Sequence, residues 1–190
     1  MSVAQTIEPP AAAPPLVTAE QLLAMPDDGL RRELLAGRVV TMAPAGDGHG
    51  RTEMRLTVAV FNWADAHRLG QVWPGDTGFV LARHPDTVRS PDGAFVVAQR
   101  VPPESERYAE VVPDLVWEVV SPSDRPSEVL AKVGVWLDAG VQVVWVVRPA
   151  RRQVDVYDAD GGHAVLAVGD TLTCPSLLPG FAFPVAAIWR

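Results

Sequence analysis

Leu115-Val116-Trp117-Glu118-Val119-Val120 is an apolar strand sequence broken by one carboxylate, and it decides the architecture. Side chains alternate across a strand, so Val116, Glu118 and Val120 share one face and Leu115, Trp117 and Val119 the other. A carboxylate among valines is costly to bury without a cation or a proton. Ser121-Pro122-Ser123-Asp124 breaks the strand and can cap a helix that runs from Pro126 or Ser127 to Ala139, with Gly140 as its stop. Residues 141–147 are almost entirely apolar and β-branched, as in a central strand buried on both faces, and Pro149 ends it. Strand, helix and strand in this order make a crossover within one sheet.

Outward from this unit, Thr18-Ala-Glu-Gln21 has capping-box spacing and predicts a short helix through Leu22, Leu23 and Met25, ended at Pro26. Glu33-Leu34-Leu35 leads through Ala36-Gly37 into residues 38–42, the expected first strand, which places Glu33 just before it. Met54, Val58, Phe61 and Ala64 recur at helical spacing, with Leu56 and Val60 beside them, and predict a helix from His49 to about Leu69, closed by Gly70. Strands are expected at 71–73, 78–82 and 93–98, a charged loop over 99–113, a hairpin from 153 to 168, and an apolar tail from 177 to 189 that packs back. The pattern predicts an α/β fold with a mixed central β-sheet flanked by helices on both faces.

The length of 190 residues and 48% apolar content suit one globular domain, expected over 17–190. Residues 1–16 are rich in Ala and Pro, lack the basic start and apolar stretch of a signal peptide, and read as a disordered tail. No apolar run is long enough to span a bilayer. Cys174 is the single cysteine, so no intrachain disulfide forms, and a reducing compartment, the cytoplasm, is expected. A net charge of −7 argues against a protein that coats nucleic acid by bulk charge. It does not exclude a nuclease, because a bound metal returns positive charge where ligand acids converge. Arg31, Arg32, Arg38, Arg51 and Arg55 read mostly as solvated surface charge. His67, His84 and His163 lack metal-ligand spacing, and no Ser-His-Asp signature, phosphate loop or dinucleotide fingerprint is present.

Lys132 is the only lysine beside fifteen arginines, and it lies fourteen residues after Glu118 on the predicted helix, with Val129, Val133 and Trp136. Lysine is a compact charge able to contact a metal-bound water, where arginine is a wide planar fork. The alternative for Lys132 is a surface pair with Glu128 one turn away. Asp92 stands in Pro91-Asp92-Gly93, ordinary turn chemistry in itself, but the strand that follows can carry the acid toward Glu118. Two acids on strands followed by one ammonium are the parts needed to bind a divalent metal and cut a phosphodiester. His49, in a Gly-rich loop at a helix start, is a candidate base or phosphate contact. Glu33 on its own reads as a surface acid near arginines.

Glu33-Leu-Leu-Ala-Gly37, His49, Pro91-Asp92, Asp114-Leu-Val-Trp-Glu118-Val-Val-Ser-Pro-Ser123, Lys132 and Val144-Trp145-Val146-Val147 stand in this order. Together they resemble a bacterial family of restriction-endonuclease-like proteins of the PD-(D/E)XK superfamily, first catalogued as a domain of unknown function. The resemblance covers about residues 16–188 and implies the restriction-endonuclease-like core. It matches Asp92 to the first metal-binding acid, Glu118 to the second and Glu33 to a further acid. Val120 occupies the place of the usual lysine, which similar proteins carry on the following helix, here Lys132. Gly93 stands where relatives usually have an apolar residue, Trp136 replaces a common tyrosine, and Arg148-Pro149 replaces a more usual Asp-Pro.

The resemblance implies a DNA endonuclease that uses Mg2+, or Mn2+ in its place, held by Asp92, Glu118 and the Val119 carbonyl. Lys132 would orient water and Glu33 would assist through a bound water. DNA is then the expected partner, no membrane is involved, and a homodimer follows from cutting two strands. Two alternatives stand beside it: a binding or assembly protein that keeps the fold without catalysis, which the acidic charge favours, and a metal-dependent hydrolase of smaller phosphoesters.

Overall fold

The computed structural model describes residues 15–190, so all but the last two residues of the tail expected over 1–16 lie outside the described residues. In chain order, α1 (Ala19–Leu23) precedes β1 (Arg31–Leu35), β2 (Arg38–Met42), α2 (Asp47–Ala66), β3 (Gly70–Pro74), β4 (Phe79–Ala82), β5 (Thr87–Arg89) and β6 (Gly93–Val97). Then follow β7 (Leu115–Val119), α3 (Pro126–Ala139), β8 (Val143–Arg148), β9 (Gln153–Asp158), β10 (His163–Leu166), β11 (Thr171–Cys174) and β12 (Leu178–Pro184).

The central sheet has the order β10-β9-β8-β7-β6-β3. β7 and β8 are parallel, joined by α3, while every other neighbour pair is antiparallel. The sheet is therefore mixed, and helices cover both faces. Leu115, Trp117 and Val119 pack with Leu56, Val60 and Ala64 of α2 and with the β11–β12 hairpin. Val116, Val144 and Val146 pack with Val129, Val133 and Trp136 of α3 on the opposite side. The alternation read from β7 is the alternation observed. Gly140 ends α3 in the left-handed region, at φ 105°, where a side chain would be strained. Among the described residues, no helix is long and apolar enough to cross a membrane.

Several expectations need correcting. Glu33 is not before the first strand but within β1, which pairs with β2 across a tight turn at Ala36 and Gly37, both at positive φ. α2 starts at Asp47 and is finished by His67, and Gly70 opens β3 instead of closing the helix. The buried face of α2 is Thr52, Leu56, Val60 and Ala64, while Met54, at 58% exposure, Val58 and Phe61 face outward. Two apolar stripes lie side by side on this helix, and the sheet takes the one that begins with a threonine.

Gly93 has a packing explanation. It lies opposite Trp117 in the β6–β7 register. A Cβ built on Gly93 would sit 2.0 Å from the Trp117 ring, which is fully buried. The indole thus fills the space of the missing side chain. Gly93→Ala is expected to cost about 3 kcal/mol through overpacking. In a double-mutant cycle read by chemical denaturation, Trp117→Phe should recover part of that cost. Purely additive single and double mutants would show that the contact is not limiting.

Candidate active site

Because β6 runs antiparallel to β7 with Gly93 opposite Trp117, Asp92 arrives beside Glu118 and Val119 at the end of β7. Asp92 Oδ2 accepts the Val119 N–H at 2.6 Å, which ties the acid to the strand that bears the second one. Asp92, Glu118, Val119 and Lys132 line one cleft of about 280 Å³, together with His49 and Arg31.

Glu118 is buried, 7% exposed, and both of its oxygens are engaged. Oε2 accepts from Lys132 Nζ at 3.1 Å, and Oε1 accepts the Trp136 indole N–H at 2.9 Å. Burial pushes its pKa up; Lys132 pulls against that, and the Asp92 charge adds to the rise. Burial alone would lower the Lys132 pKa, but the charge and hydrogen bond of Glu118 outweigh it, and the ammonium is held above its usual range. Glu128 does not pair with Lys132: its carboxylate accepts the Arg125 N–H and caps α3. Trp136 thus offers its ring N–H as a donor to the acid.

Glu33 is 2% exposed, and its carboxylate meets Arg89 Nη1 at 2.7 Å and the Ser90 N–H at 2.9 Å. It does not line the cleft but braces the segment that leads into Asp92.

His49 enters from the first turn of α2. Its Nδ1 is hydrogen-bonded to Ser121 Oγ at 3.1 Å, just past β7. Its Nε2 lies 3.1 Å from Asp92 Oδ1, out of line for a hydrogen bond, and is buried without a hydrogen-bond partner among the described residues. Glu53, one turn on, brings Oε2 to 3.9 Å from the same nitrogen. The ligand atoms of His49, Glu53 and Asp92 all lie within 4.8 Å of one another, a spacing that a metal ion can bridge. Glu53 escaped the reading of the sequence. The signal was its i,i+4 relation to His49, which puts both on one helix face.

These shifts set a pH dependence. His49 is raised from 6.5, chiefly by the Asp92 carboxylate and against burial. The folded chain then holds that proton more tightly than the unfolded chain, so the stabilisation is complete below about pH 6.5 and is lost as pH rises through the folded value. Glu53 and Glu118 are raised from 4.5, chiefly by burial. Their ionisation in place costs stability progressively above about pH 4.5. All three act in the same direction. Urea titrations in a chelator should show stability falling as pH rises above about 4.5, with the part above about pH 6.5 weakened in His49→Gln. A flat profile would contradict the assignment.

The family described as "Putative restriction endonuclease", Uma2, matches residues 19–186. No curated protein matches the chain. Among solved structures, a protein from Anabaena variabilis ATCC 29413, described as a "putative nuclease belonging to DUF820", is 17% identical, with a TM-score of 0.78 over 91% of this chain and 97% of its own. At that identity the likeness is one of fold.

Proposed function

The chain belongs to the Uma2 family of putative restriction endonucleases, and from that membership we propose that it is a Mg2+-dependent DNA endonuclease. The supporting observation is that Asp92, Glu118 and Lys132, far apart in sequence, line one cleft. Asp92, Glu118 and the Val119 carbonyl are the groups that would hold Mg2+, or Mn2+ in its place. This oxygen-rich set suits a hard cation, and beside it His49 Nε2, without a hydrogen-bond partner among the described residues, lies between the Asp92 and Glu53 carboxylates. Bound there, the ion supplies Lewis acidity and a water of lowered pKa.

The chain's own groups do the rest. Val119 N–H fixes the rotamer of Asp92, and Trp136 N–H fixes Glu118, so neither acid must reorganise. Lys132 keeps its proton at Nζ beside Glu118, placed to orient a water and to offset negative charge on a phosphate. Glu33 acts from behind, through Arg89 and Ser90, as a positioning residue. Arg31 on the cleft wall, ion-paired with Asp76, is a second basic side chain beside Lys132 that a DNA phosphate would meet. Cutting both strands takes two such clefts, so the working form is a homodimer, acting on DNA in the cytoplasm.

Plasmid nicking with Mg2+ tests this, with chelator and bis-p-nitrophenyl phosphate as parallel arms. The reading expects metal-dependent loss of supercoiled plasmid. Hydrolysis of the small diester alone would make the protein a phosphoesterase, and metal binding with no hydrolysis would make it an assembly protein.

A further inference from the structure

We infer that His49, Glu53 and Asp92 form a second cation position, which takes a borderline transition ion such as Mn2+ or Zn2+ in preference to Mg2+. The inference rests on the metal-dependent reading of the cleft and adds a position that the acids of β6 and β7 do not supply. An imidazole nitrogen and a carboxylate oxygen held 3.1 Å apart, out of line for a hydrogen bond with each other, have the separation of two ligands on one ion, and a cation beside both relieves the repulsion between their electron pairs. Ser121 holds His49 from behind at Nδ1, as an oxygen partner characteristically orients a metal-binding imidazole, and Nε2 stands beside Asp92 on the cleft side. Glu53 then completes a set of three.

The fit is geometric as well as chemical. Metal–ligand bonds of about 2.0–2.2 Å put neighbouring ligand atoms on the order of 3–3.5 Å apart. His49 and Asp92 already meet that spacing, and Glu53, 3.9 Å from His49 and within 4.8 Å of Asp92, has to close in. Two carboxylates and a neutral imidazole balance a divalent charge. The imidazole sets the preference: Mg2+ favours oxygen donors, while nitrogen donors raise affinity for later first-row ions. Asp92 directs Oδ1 to this position, and its carboxylate also borders Glu118 and Val119, so one acid would serve two ions.

Calorimetry of the full chain with MnCl2 and MgCl2, and pulsed EPR of the Mn2+-loaded protein, test the position without recourse to activity. Wild type should bind two Mn2+, with a coupled imidazole nitrogen in the EPR signal. His49→Gln and Glu53→Gln should each weaken one Mn2+ by on the order of 10–100-fold or more. The nitrogen coupling should vanish in His49→Gln and persist in Glu118→Gln, which loses the other ion. Should His49→Gln unfold, Glu53→Gln, with its partly exposed carboxylate, gives the same reading. Unchanged Mn2+ affinity in both variants, or a wild-type signal without nitrogen coupling, would overturn the inference. With two Mn2+ bound and DNA uncut, only the nuclease reading falls. With DNA cut and no nitrogen coupling, only this second position falls.

Discussion

Lys132→Met is expected to slow Mg2+-dependent plasmid cleavage by ~10²–10⁴, the range for losing a group that orients a water or steadies developing charge. Methionine keeps the apolar stem against α3 and β7, so the fold should survive. Removing the ammonium leaves Glu118 with Trp136 as its remaining partner. The lysine side chain is one-third exposed, so solvent already screens the pair, and the cost without metal should be about 1 kcal/mol, well short of a fully buried pair. Lys132→Arg keeps the charge but brings a wider fork into a space that fits one nitrogen 3.1 Å from Glu118, and it should rescue little. Nicking time courses beside melting curves with and without Mg2+ separate the two effects. Full activity in Lys132→Met would reduce the lysine to a structural counter-ion.

Asp92→Asn should be more severe, with a loss on the order of 10³ or more in rate. Asparagine can still accept the Val119 N–H, so β6 and β7 stay joined. What it cannot do is face His49 and a cation with an anionic oxygen. The rise in melting temperature that millimolar Mg2+ or Mn2+ should give the wild type is therefore expected to vanish in the variant. Removing this charge also relieves Glu53 and Glu118, both of which Asp92 pushes toward their protonated forms. Thermal melts across a metal titration decide the matter, and an unaltered metal response in Asp92→Asn would remove that acid from the ligand set.

The elements with a full repeat of their own pattern were legible in the sequence: the alternation of β7, the body of α3 with its Gly140 stop, and the apolar β8; the cap expected from residues 121–124 was not, because Arg125 stands at the N-cap and Asp124 accepts the Ser121 N–H. β1, β5 and β11 were not. β5 has three residues, less than two periods, and exists because β1 and β4 flank it. β1 begins with two arginines and an acid, and a sequence shows those as surface when Arg89 in fact neutralises Glu33 inside the protein. On α2, periodicity identified a helix but not which of two apolar stripes the sheet would bury. At the site, Glu118 and Lys132 could be named because each breaks a pattern, an acid in an apolar strand and the only lysine of the chain, while Asp92, in ordinary turn chemistry, stood out only through the strand after it and the family resemblance. Glu53 breaks none: an acid on an amphipathic helix looks ordinary until the fold brings Asp92 to it.

The occupancy of the Gly93 space by Trp117 constrains how a lineage can change here. A side chain cannot be gained at 93 while the indole is in place, and losing the indole first leaves a cavity in the core. The permitted order is to shrink residue 117, tolerate the hollow, and then fill residue 93. Since Asp92 is the adjacent residue, that hollow intermediate would have to keep this acid in register with Glu118 throughout. Descendants of this chain should therefore exchange the two positions together or keep both.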